Sequence, residues 1–125
     1  MMKKIILTDK APAPIGPYSQ AYLCDRTLYC SGQIAIEPMT GEFLNGSIEE
    51  QTLKVMENIS ALLEEAGYGF EDVVKTTCYL AYMSDFTVFN EIYARYFTSK
   101  PARSCVAAKE LPKNALVEVE VIAFK

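Results

Sequence analysis

The last strand-like segment of the chain carries its clearest pattern. From Ala115 to Phe124, Val117, Val119, Val121 and Ala123 fall on one side of an extended chain, and Leu116, Glu118, Glu120, Ile122 and Phe124 on the other. Side chains alternate across a strand, so one face is uniformly apolar and the other mixes carboxylates with large apolar groups. A different period governs Ile48 to Ala66. There Ile48, Val55, Ile59, Leu62 and Ala66 recur every three or four residues, and Met56 and Leu63 widen the stripe. Ser47-Ile48-Glu49-Glu50 is a capping box that starts this helix, and Gly67 is a stop. A second helix is predicted from about Asp85 to Phe97, capped by Ser84, with Phe86, Phe89, Tyr93, Tyr96 and Phe97 as its aromatic face.

Between these elements the chain reads as short strands and turns. Lys4 to Leu7 is a first strand. Lys10 to Pro17 holds three prolines and a glycine and is an ordered loop. Ser19 to Cys24 and Thr27 to Ser31 form a hairpin around Asp25-Arg26, and Gly32 marks its end. Glu37 to Asn45, with Pro38 and Gly41, is a loop. Val73 to Tyr82 is rich in β-branched and aromatic residues and predicts a strand. Arg103 to Ala107 and Ala115 to Phe124 are the last two strands, joined by a turn around Pro112-Lys113-Asn114. The order β-β-β-α-β-α-β-β is that of an α+β domain, a mixed sheet with two helices on one face. Residues 1–125 form one domain, with no repeat and no linker. Val117, Val119, Val121 and Ala123 are placed under the helices. The opposite face offers little polar surface and suits a contact between copies of the chain, with its charged residues in or near that contact. The alternative is a half-solvated sheet face.

Half of the residues are hydrophobic and 22% are charged, enough for a packed core and too few charges for disorder. The net charge is -4, without a basic run, which disfavours nucleic acid as a partner. Lys3-Lys4 precedes only Ile5 to Leu7 as a strongly apolar run, too short for a secretory signal. No stretch approaches the roughly 20 apolar residues of a membrane span, and a cytoplasmic location is expected. Cys24, Cys30, Cys78 and Cys105 show no CxxC spacing and are expected to be free thiols. With no histidine in the chain, Ser-His-Asp and Cys-His mechanisms are excluded, and no metal or cofactor is expected.

The candidate chemistry therefore rests on Arg103, in Pro101-Ala102-Arg103-Ser104-Cys105-Val106, and on Glu118. A guanidinium grips a carboxylate through two parallel hydrogen bonds. A glutamate among valines can be desolvated into a usable acid or base near neutral pH. Together they suggest a site for a small carboxylate. A structural Arg–Glu ion pair between adjacent strands fits the same residues. Asn90 shares a helical face with Phe86 and Tyr93, an odd place for an amide without a partner. Cys105 has no nearby base and is not read as a nucleophile. Glu120 is read as a structural or interface acid.

Several separated motifs point further. They are Ala11-Pro12-Ala13-Pro14-Ile15-Gly16-Pro17-Tyr18-Ser19-Gln20, Ser31-Gly32-Gln33-Ile34, Val73-Val74-Lys75-Thr76-Thr77, Phe86 through Asn90 to Tyr93, the Arg103 segment, Leu111-Pro112-Lys113 and the Glu118 strand. In this order, over nearly the whole chain, they resemble the RidA/YjgF family of reactive intermediate deaminases. The resemblance implies a chorismate-mutase-like α+β fold and a homotrimer with three clefts between subunits. It implies hydrolysis of enamine and imine intermediates, such as 2-aminoacrylate and related 2-imino acids, to 2-keto acids and ammonia. Arg103 would hold the substrate carboxylate, and Glu118 would activate water and move a proton to the leaving nitrogen. Tyr18, Ser31, Gly32, Asn90 and Cys105 would line the cleft, Gly32 by presenting bare backbone and Cys105 with its thiol, its backbone contacting the substrate. The segment Thr98-Ser99-Lys100-Pro101 is shorter than in members with an aromatic-containing loop there, which bears on specificity more than on the reaction. A non-catalytic module that senses small 2-keto carboxylates is the second reading, and an RNA-cleaving or translation-inhibiting protein the third.

Overall fold

A computed structural model describes residues 2–125. Strands β1 (Lys3–Ile6), β2 (Ala21–Cys24) and β3 (Thr27–Gln33) precede helix α1 (Ile48–Ala66). Strand β4 (Val73–Leu80), helix α2 (Phe86–Tyr96), β5 (Ala102–Ala107) and β6 (Val117–Phe124) complete the chain. The order is the one the alternation predicts. The six strands form one sheet in the order β1-β2-β3-β6-β4-β5. Every neighbouring pair is antiparallel except β4 and β5. A parallel pair needs a long crossover, and α2 supplies it.

Period decides what is buried. Val117, Val119, Val121 and Ala123 are at most 1% exposed, beneath the helices. From α1 they meet Val55, Met56, Ile59, Leu62 and Leu63, and from α2 Phe89 and Tyr93, with Phe97 just past its end, all in one core. Burying a side chain of this size contributes roughly 1.5–3 kcal/mol. The start of α1 is capped reciprocally. Ser47 Oγ accepts from the Glu50 amide at 3.1 Å, and the Ser47 amide donates to Glu50 Oε1 at 2.9 Å. Gly67, at φ 83°, ends the helix in the left-handed conformation that an L side chain resists.

Two boundaries differ in kind from expectation, and the other strand and helix ends move by at most two residues. Strand β3 does not stop at Ser31. It runs through Gly32 to Gln33, with a bulge between Cys30 and Gln33 before pairing resumes at Gln33↔Val119. Helix α2 is not capped by Ser84. Met83–Asp85 makes a 3-10 turn in which the Asp85 amide donates to Tyr82 O at 3.0 Å, so the backbone enters the helix already wound.

Polar residues inside the α1 stripe hold what the apolar pattern leaves open. Asn58, 1% exposed, donates to Ile34 O at 3.2 Å and Ile36 O at 2.9 Å, satisfying carbonyls of the segment that follows β3. Gln51 donates to Gly46 O at 3.0 Å and accepts from the Leu116 amide at 2.9 Å, fixing the approach to β6. Removing a buried donor strands its acceptors. Asn58→Ala is expected to lower unfolding stability by roughly 1–3 kcal/mol. Urea denaturation at fixed protein concentration measures this, and an unchanged midpoint would show that water replaces the amide.

Candidate functional site

Sheet sidedness places the charged residues. On β6, Glu118 lies opposite Tyr79 of β4 and points away from the helices. On β5, Arg103 lies opposite Thr76, which in turn lies opposite the buried Val121. Arg103 is therefore on the helix face and Glu118 on the open face, two strands away. The Arg–Glu ion pair between adjacent strands does not form, because β4 separates the two strands and their side chains leave opposite sides of the sheet. Both ion pairs found among the described residues involve Lys54 instead, with Glu37 and Glu57.

The open-face half gathers around Glu118. A cavity of about 430 Å³ is lined by Glu118, Tyr18, Ser31 and Gly32, with Pro12, Ile15, Ile34 and Ile36 supplying apolar wall and Lys113 at its border. Burial, and then the charge of Glu120, push the Glu118 carboxyl above its usual range. Gly32 serves this carboxylate directly. A methyl group at position 32 would collide with Glu118 Oε2 and stand 3.0 Å from Cδ. The bare backbone expected to face substrate thus first makes room for the acid. Ser31 Oγ donates to Ser19 O at 2.6 Å, and the Ser31 amide to Gln20 O at 2.9 Å. Tyr18, 54% exposed, receives the Ile15 amide on its hydroxyl at 3.3 Å.

Gln20, which reading the sequence passed over, anchors the loop that carries Tyr18. It is 2% exposed. Its Nε2 donates to the carbonyls of Thr8, Ala11 and Pro12, and its Oε1 accepts from the Thr8 amide at 2.8 Å. A loop with three prolines cannot satisfy its own carbonyls by helix or ladder bonds, and this amide does so.

The helix-face half is built on Arg103. Its Nη1 donates to Asn90 Oδ1 at 2.7 Å. Its guanidinium lies 4.7 Å from the Tyr93 ring centroid and 5.4 Å from that of Phe86. Phe86, Asn90 and Tyr93 stand at i, i+4 and i+7 on α2, one face of a helix, and all three serve the same cation. Tyr93 is fixed in turn by a 2.7 Å hydroxyl contact with Thr76. Asn90, expected in the cleft, spends its oxygen on orienting Arg103. Arg103 borders a cavity of about 570 Å³ with Asn90, Tyr93, Phe97, Lys100 and Pro101. No carboxylate pairs with it among the described residues. Cys105 is on the same face, opposite Cys78, and is only partly buried. Burial pushes its thiol up, and pushes those of Cys78 and Cys30 to about 12, so none is an activated nucleophile.

One chain thus presents two half-sites: an acid with a shaped cavity, and an oriented, unpaired guanidinium. The chain is an α+β domain with an oriented, unpaired guanidinium on one sheet face and a desolvated acid on the other. A family model described as Endoribonuclease L-PSP matches residues 8–125. The chain is 54% identical to a RutC family protein of Pyrococcus horikoshii, covering 99% of each. It is 44% identical to the human 2-iminobutanoate/2-iminopropanoate deaminase, covering all of this chain and 92% of that protein. The crystal structure of a putative endoribonuclease from Thermotoga maritima superimposes with a TM-score of 0.96 at 50% identity, covering 99% of this chain and 98% of the other. The chain belongs to the RidA/YjgF family, whose fold it has.

Gly32→Ala is expected to displace the Glu118 carboxylate while leaving the fold intact. A reacting group misplaced by about 1 Å costs on the order of 100-fold in turnover. Steady-state kinetics beside a thermal melt tests this, and an undiminished rate would show that the Glu118 position is not critical.

Proposed function

We propose that the chain is a hydrolytic deaminase of 2-imino acids, converting 2-aminoacrylate, its tautomer 2-iminopropanoate and related imines to 2-keto acids and ammonia. The observation that carries this reading is an oriented guanidinium without an anion, on a chain whose desolvated glutamate faces a separate cavity. The similarity to the human deaminase supports it. We further propose that the working site lies between copies of the chain, in a homotrimer. Arg103 and Glu118 leave opposite faces of one sheet, so a single substrate meets both only where a second copy docks. The open face, with Tyr22, Tyr29, Val106 and Phe124 exposed, is suited to that contact.

The substrate has a carboxylate beside a C=N carbon. Arg103 takes the carboxylate in a bidentate pair. Water oxygen bonds to the C=N carbon as the C=N π pair moves to nitrogen, and the Glu118 carboxylate takes a proton from that water and passes it to the nitrogen, to give a carbinolamine. Collapse of that intermediate forms the keto C=O bond, breaks the C–N bond and releases ammonia, with Glu118 taking the hydroxyl proton and delivering it to the departing nitrogen. The imine carbon is already electrophilic, so placing water, acid and substrate together supplies most of what the reaction requires. RNA cleavage, which the family description names, fits less well. The net charge is -4, and the chain has no histidine to act as acid or base.

A coupled assay tests the reaction. A serine/threonine dehydratase generates 2-aminoacrylate in the presence of semicarbazide, and the chain is expected to divert it to free pyruvate. Arg103→Ala is expected to lose roughly 100-fold or more of this activity while still assembling. No diversion by assembled wild type, across several imino acids, would move the reading to a carboxylate-sensing module.

A mixing experiment tests the shared site. Arg103→Ala and Glu118→Gln, each inactive alone, are co-refolded in equal amounts. If each site takes its arginine from one copy and its glutamate from another, about a quarter of the sites regain both groups at random assembly. No recovery would place both groups in one chain's site and sink the shared cleft.

A further inference from the structure

Glu118 has a carboxylate neighbour that the proposed reaction has not used. Glu120 follows it on the same side of β6 and raises the proton affinity of Glu118 by its charge. Its position is not left to solvent. Tyr79 of β4, directly opposite Glu118, reaches diagonally and donates a hydrogen bond from Oη to Glu120 Oε1 at 3.3 Å. Burial and the two carboxylates push the Tyr79 hydroxyl up, so it stays a donor throughout the working pH range. Glu120 borders a second cavity, of about 320 Å³, and Ser31 is common to the walls of that cavity and of the Glu118 cavity.

The other groups facing the pair are few. On β4, Lys75 shares the open face, opposite Ile122 and one pairing beyond Glu120. On β3, Tyr29 and Ser31 present hydroxyl groups, Tyr22 of β2 lines the Glu120 cavity beside them, and β5 turns Ala102, Ser104 and Val106 to this side. From the loops, Tyr18 and Lys113 line the Glu118 cavity. In the proposed cleft, Arg103 of a second copy approaches as well, but there it is neutralised by the substrate carboxylate. Glu120 is therefore the anion best placed to act on Glu118 during turnover, and like charges on neighbouring carboxyls cannot both be ionised cheaply.

Resting on the deaminase reading, we propose that Tyr79 and Glu120 are positioning residues for the reaction. Tyr79 fixes the Glu120 carboxylate beside Glu118, and that negative charge keeps on Glu118 the proton that the departing nitrogen requires. A simple structural role for Glu120 would lower stability or rate without moving the titration of Glu118.

The test is the pH profile of kcat/KM, measured beside a 13C NMR titration of the Glu118 side chain assigned through Glu118→Gln. Removing the neighbouring negative charge makes Glu118 release its proton more readily. In Glu120→Gln the profile limb and the NMR titration are thus expected to move together to lower pH, by roughly 0.5–1 unit. Tyr79→Phe should move both in the same direction by less, and the double variant no further than Glu120→Gln. Glu120→Asp should restore most of the wild-type profile. An unmoved titration in assembled Glu120→Gln overturns the proposal. Should that variant not assemble, Tyr79→Phe decides, and an unmoved titration there overturns it equally. If wild type turns over no imino acid, the deaminase reading fails by itself, while the NMR titration still reports whether Glu120 controls Glu118.

Discussion

Strand β6 has to be two things at once, and the two-residue period of an extended chain makes that possible. Its odd-numbered positions lie beneath two helices in a dry core, where an unpaired carboxylate would be prohibitively costly. Its even-numbered positions carry Glu118 and Glu120 on the side that the helices do not reach. A slip of one residue would bury both acids and expose four apolar side chains, so the register of β6 is strongly determined. Because β6 sits between β3 and β4, that register also places Gly32 against Glu118 and Tyr79 across from it. The acid half of the site follows from the packing of the core.

The basic half depends on a different economy. An arginine on an edge strand would ordinarily find a carboxylate or point into water. Here two aromatic faces and one amide oxygen hold it. None of these neutralises the charge. Aromatic rings attract a cation through their quadrupoles, and the Asn90 oxygen fixes the direction of one N–H. The guanidinium keeps its full charge and most of its donors for a visitor. Orientation without neutralisation is what an anion-binding residue requires, whereas a salt bridge would have used those donors internally.

The features legible in the sequence were those written in local period and local chemistry. The alternation of β6, the α1 stripe, the Ser47–Glu50 box and the Gly67 stop each involve residues within a few positions of one another, and each is found. The misreadings came where a partner outside the apolar pattern decides, on another strand or in an adjoining turn. Gly32 looked like a strand end, because nothing nearby shows that Glu118 needs the space its missing side chain leaves. Ser84 looked like a cap, because a turn built on Tyr82 was not visible in composition. Asn90 was recognisably out of place among aromatics, and its spacing with Phe86 and Tyr93 was plain. That the face meets Arg103 depends on the crossover that sets β5 beside β4. Gln20 and Tyr79 carry no local signal at all, since their partners lie on other segments.

The same sidedness links the proposed assembly to the chemistry. In a single chain Arg103 and Glu118 are both only partly buried, so each interacts weakly with any anion or proton donor that high-dielectric solvent also competes for. Docking another copy over the open face would remove that solvent and bring a guanidinium toward a carboxyl already made reluctant to ionise. Without substrate, the two would be drawn into the very ion pair that the fold prevents within one chain. A substrate carboxylate changes the balance by taking the guanidinium's donors. The acid is then left to burial and to the charge of Glu120, which favour keeping its proton. On this reading binding does more than concentrate the imine. It occupies a cation that would otherwise draw off the proton Glu118 takes from water, so that the proton is held until the nitrogen receives it.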